Sequence, residues 1–160
     1  MYFEDNSEYT YFLPECVSLP EVKNIGWLDC EFPFVKGQVD FCVVNKLMGI
    51  VLRDNKSTSY IVNRIRGFYK CVFCEDEMIK ITNGENVEYL GMSEIWIPSI
   101  CEGEYYAFPS LMLHYIQSHE YRPPDKFIAS VLNLDLNKKF IAQDIYKERI
   151  KKLNIDFWFG

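Results

Sequence analysis

The chain has 160 residues, 49% of them apolar and 16% aromatic, and its 23 acidic against 17 basic residues leave a net charge of −6. That length suits one ordinary domain able to bury roughly two thirds of its unfolded surface, while 12 Phe, 11 Tyr and 3 Trp are more aromatic surface than one core hides. The negative balance argues against nucleic acid as a partner and suits a basic protein instead. No basic stretch leads into an apolar run at the start, and no window reaches membrane-spanning length. The sequence therefore reads as cytoplasmic, with no membrane partner.

In chain order, the first 12 residues carry Tyr2, Phe3, Tyr9, Tyr11 and Phe12, and a segment so aromatic is expected to pack back onto the body. Pro14 and Pro20 interrupt the next stretch, and residues 24–29 (NIGWLD) read as a tight turn delivering Trp27 to the core. From Val39 to Leu52, Phe41, Val44, Leu47, Met48 and Val51 recur at helical spacing, which predicts a helix starting near Asp40. A polar loop follows over 53–59. Residues 78–82, Asn83-Gly84 and residues 87–91 form a hairpin pattern, and a strand over 93–97, closed by Pro98, is expected to pair with 104–107. Pro109 suits the first position of a helix with Leu111, His114 and Tyr115 on one face. Arg122-Pro-Pro-Asp125 stops it, and Pro124 opens another helix through Leu132. Residues 139–153 predict a final amphipathic helix with Phe140, Ile141, Ile145 and Ile150 toward the core. The expected fold is α+β: one domain over 1–160, a small antiparallel sheet in mid-chain with surrounding helices.

The densest chemistry lies in two pairs, Cys71-x-x-Cys74 and the histidines His114 and His119. Two thiols flanking two residues can reach one zinc ion, and four intervening residues lie within the range used by paired histidines. Five positions is an awkward rotation on a regular helix, so His119 must sit at the helix end, where Glu120-Tyr-Arg-Pro-Pro follows. Four such ligands fill a tetrahedron and define a structural, not a catalytic, site. A second reading also fits: buried thiols, a satisfied core histidine at His114, and His119 at a helix C-terminus, where positive charge is favoured. Cys101 is an alternative ligand. A Cys–His hydrolase would draw on Cys71, Cys74 or Cys101 with His114, yet nothing local marks a nucleophile. No catalytic residue is therefore assigned. Glu75, Asp76 and Glu77 form a carboxylate run beside the cysteines, and Phe157-Trp158-Phe159 an aromatic end.

Several motifs recur in a fixed order. They are Phe3-Glu-Asp5 with Tyr9-x-Tyr11, Gly26-Trp-Leu-Asp29 with Pro33-Phe34, and Arg66-Gly-Phe-x-x-Cys71-x-x-Cys74. Ala107-x-Pro109-x-Leu111 follows, running into His114-Tyr115-x-x-x-His119-x-Tyr121-x-Pro123-Pro124 and Phe127. This set, over about residues 2–132, resembles a family of short, uncharacterised bacterial single-domain proteins likened to immunity proteins of polymorphic toxin systems. That family often carries a histidine where this chain has Tyr69, and residues 132–160 form a helical extension outside the resemblance.

The resemblance implies a non-enzymatic immunity protein that binds and neutralises a cognate toxin. A basic nuclease-type toxin would meet Glu75, Asp76 and Glu77, and Trp158 would serve as an aromatic anchor. The alternative is a zinc-stabilised interaction module of a bacterial defence or regulatory assembly.

Overall fold

A computed structural model describes residues 1–74 and 78–153. It has an α+β architecture whose centre is a five-stranded sheet. The elements run β1 (Glu8–Tyr9), β2 (Leu19–Asn24), α1 (Phe41–Leu52), β3 (Thr58–Ser59), β4 (Ile61–Val62), β5 (Lys80–Asn83) and β6 (Asn86–Tyr89). They continue as β7 (Glu94–Pro98), β8 (Tyr105–Pro109), α2 (Met112–His119), α3 (Asp125–Asn133), β9 (Phe140–Ile141) and α4 (Ala142–Lys152). The sheet order is β1-β2-β8-β7-β4; β5-β6 form a separate hairpin and β3-β9 a short parallel pair. All neighbours in the large sheet are antiparallel except β2 and β8, which run parallel with Val22 opposite Tyr105 and Asn24 opposite Ala107. No described helix is long and apolar enough to cross a membrane.

Strand side chains alternate between faces, and here both faces are covered. Ile61, Ile95, Ile97, Tyr106 and Phe108 turn toward the core shared with α1, α2 and α3, while Val62, Trp96 and Ala107 turn to a second core with Tyr9, Ala142, Tyr146 and Ile150. Double coverage explains why β7 and β8 are apolar almost throughout. The first 12 residues do pack back: Tyr9 is fully buried, and Phe3 bridges to Trp27.

Several expectations shift in detail. Asp40 does cap α1, its carboxylate accepting from the Cys42 amide at 2.8 Å, but the buried stripe is Val43, Leu47, Ile50 and Val51, and Phe41 points to solvent. Both stripes share Leu47 and Val51, and the packing of α1 against α2, α3 and β6 chooses between them. Pro109 ends β8 opposite Glu94 and does not open a helix. Phe140 and Ile141 precede α4 as β9, because pairing with Thr58 and Ser59 captures them. β2 forms despite Pro20, since its pairing partners are Leu19, Val22, Lys23 and Asn24 and the imino position stays out of the ladder.

Candidate metal centre

The segment carrying the two cysteines is pinned before it turns. The Ile65 amide donates to Met92 O at 2.7 Å and the Tyr69 amide to Gly91 O at 2.9 Å. Gly91 has φ +94°, and a Cβ there would strike the Tyr69 carbonyl, so only glycine permits this approach. Beyond it the chain curls so that the Phe73 amide donates to Cys71 Sγ at 3.4 Å. The histidines come from α2. His114 lies inside the helix and His119 is its last residue, followed by Glu120 in the left-handed conformation at φ +59°. The Tyr121 amide then reaches back to Tyr115 O at 3.1 Å, while Gly37 donates to Glu120 O and Arg122 to Val35 O, each at 3.0 Å. This clamp on the helix end is what brings His119 round to the same side as His114.

The four side chains meet. Cys71 Sγ lies 3.3 Å from His119 Nε2, Cys74 Sγ 3.3 Å from His114 Nε2, and the two Nε2 atoms 3.2 Å apart. All four ligand atoms fall within 4.8 Å of one another, so the cluster could hold a metal ion. An imidazole Nε2 offers one in-plane position, either a proton or a lone pair, yet each here faces both a thiol and the other ring. One central cation would serve all four atoms at once. Cys71 and His114 are buried, and Cys74 and His119 are partly so.

Aromatic side chains hold the cluster in place. The Phe73 ring contacts His119 (centroids 5.2 Å apart), Tyr115 (5.7 Å) and Phe34 (5.4 Å). Asp5 fastens the same region, accepting from the Gly26 amide at 2.9 Å and from Tyr121 Oη at 2.7 Å. Burial pushes the Cys71 thiol up from its ordinary range, the reverse of what a thiolate nucleophile needs. Cys101 stands outside the cluster, on the strand connection beside Lys126. Tyr69 sends its hydroxyl 2.9 Å to that of Tyr11. Glu75, Asp76, Glu77 and Trp158 lie outside the described residues.

One group escaped the sequence reading. Glu94 is fully enclosed on the Tyr9–Trp96 face, accepting from Tyr9 Oη (2.8 and 3.0 Å) and Asn63 Nδ2 (3.1 Å). Burial pushes its carboxyl up to about 8, against the opposing pull of those hydrogen bonds. A lone acid at a strand start gave no sign of this, because its main partner is 85 positions away.

The chain belongs to a protein family described as a domain of unknown function (DUF7919), which matches residues 1–132. No curated protein and no solved structure matches it.

Proposed function

We propose that this protein is a non-enzymatic binding protein, built around a structural zinc ion, that neutralises a cognate bacterial toxin in the cytoplasm by covering its active site. The observation that carries the zinc-built scaffold is the convergence of two thiols and two imidazoles. Zinc–sulfur and zinc–nitrogen bonds of about 2.3 and 2.05 Å give tetrahedral edges of about 3.6 Å (S to N) and 3.3 Å (N to N). The corresponding separations in this structure are 3.3 Å and 3.2 Å. Four protein ligands leave no open coordination position, so the ion's role is to bind two distant segments together.

Recognition of a toxin is supported by the acidic balance and by exposed apolar side chains around the cysteine turn and the β5–β6 hairpin: Phe68, Tyr69, Val72, Met78, Val87 and Tyr89. Apolar anchors of this kind beside carboxylates suit a basic cleft. Pull-down of the tagged protein from its host is expected to bring down a stoichiometric toxin whose lethality this protein relieves. Recovery of the protein alone would remove the immunity reading. Separately, Cys71→Ser should lower bound zinc and stability together, by about 3 kcal/mol or roughly 10 °C in Tm for a chain of this size. Full zinc content with an unchanged Tm would remove the metal.

A further inference from the structure

A second site lies beside the metal centre and is lined by none of its four ligand residues. A cavity of about 100 Å³ opens between the N-terminal segment, the 69–72 strap and the start of β7. Its rim is exposed, at Met1, Tyr69 and Val72, and its floor is buried, at Trp27, Leu28, Leu111, Ser93 and Glu94. At roughly 15 Å³ for each water-sized group, it has room for a chain of a few heavy atoms.

Ser93 and Glu94 are the buried polar residues of a lining that also includes Asn63 and Lys70. Ser93 is nine-tenths buried, and its hydroxyl has no hydrogen-bond partner among the described residues. Glu94 takes Asn63 Nδ2 and the shorter arm of the Tyr9 hydroxyl on Oε1 and the longer arm on Oε2, and the Trp96 side chain also reaches its carboxyl. Asn63, in the left-handed conformation at φ +50°, donates its backbone N–H to Gln143 Oε1 (2.8 Å), and its side-chain amide donates to Glu94. Around these groups stand Tyr11 and Trp27, with centroids 5.2 Å apart, and Tyr69, bonded to Tyr11. Aromatic walls above a buried carboxylate and a hydroxyl acceptor favour a cation with N–H donors.

We propose that this cavity binds an alkylammonium group, from a free amine or a lysine side chain, held by Glu94 and Ser93 and walled by Tyr11, Trp27 and Tyr69. Occupation would draw a proton off Glu94, so affinity rises with pH between about 6 and 8. The groups facing Glu94 are Tyr9, Tyr11, Tyr146, Asn63 and Trp96, and the cavity is also lined by Lys70 and by Met1, whose amine sits 3.7 Å from Asp29.

The test is an NMR titration of the full chain, following the Trp27 indole signal with n-butylammonium, N-acetyl-lysine methylamide, n-butanol and butyrate. At least one amine should bind about tenfold tighter than the butanol and butyrate controls, and Glu94→Gln should remove that preference. Tighter binding of butylammonium assigns the site to free amines, and tighter or equal binding of the lysine derivative assigns it to a protein side chain. Binding of butanol as tight as either amine, or no amine response to about 20 mM, overturns the proposal. Should Glu94→Gln not fold, Ser93→Ala and Tyr69→Leu replace it: weakened amine binding supports the site, and unchanged binding in both overturns it. Zinc content and toxin neutralisation are read separately and bear on the earlier reading alone.

Discussion

Glu94 shows how one residue can carry a pH dependence for the whole protein. Its carboxyl is held at about 8 by burial, above the ordinary value of 4.5. The folded state therefore keeps a proton that the unfolded chain releases. Its contribution is fully present below about pH 4.5 and is lost as pH rises through about 8. Glu94→Gln keeps acceptors for Tyr9 and Asn63 but cannot ionise. Denaturant unfolding at pH 5 and pH 8 should show the variant gaining on the parent at the higher pH, by a few kcal/mol at most. A parallel pH profile for the two proteins would place the ionisation elsewhere.

At the scale of elements, the cysteine turn depends on a strap that only Gly91 lets close. Gly91→Ala forces a left-handed backbone on an L-residue and drives its Cβ into the Tyr69 carbonyl. The expected cost is about 2–4 kcal/mol in unfolding free energy, with faster loss of zinc to a chelator. Asp40→Ala should cost about 1 kcal/mol through the lost α1 cap and leave zinc retention unchanged, which separates general from local damage. Much of this level was legible beforehand. Asp40 marked the start of α1, Asn83-Gly84 marked the hairpin, and Pro123-Pro124 marked the end of the helix that presents His119. The spacing within the cysteine pair and within the histidine pair was equally plain. What could not be read was set by distant neighbours. The face of α1 was decided by α2, α3 and β6, the strand character of Pro109 by its place opposite Glu94, and the strand at 19–24 was masked by Pro20. By contrast, β7 and β8 were legible as neighbouring strands even though burial of both sheet faces removes their alternation.

For the molecule as a whole, the match to the family ends at residue 132, but the second core does not. Ala142, Tyr146 and Ile150 of α4 pack there with Tyr9, Val62 and Trp96. Residues of the segment 139–153 thus help to close the second core. A chain cut after Leu132 is expected to lose its cooperative thermal transition and bind a hydrophobic dye, since it bares Trp96 on one side of the sheet. A sharp transition within a few degrees of the full chain would show that the first core stands alone.

The parallel joint between β2 and β8 bears on the order of synthesis. β2 is made early, but the strand beside it lies about 80 residues later, and at translation rates of 5–20 residues per second that is a wait of roughly 4–16 s. For that interval one edge of β2 has no native neighbour on the ribosome, and an unpaired strand edge is a template for wrong partners. Pro20 lies before the run 22–24 that β8 takes up, so it leaves that edge open during the wait.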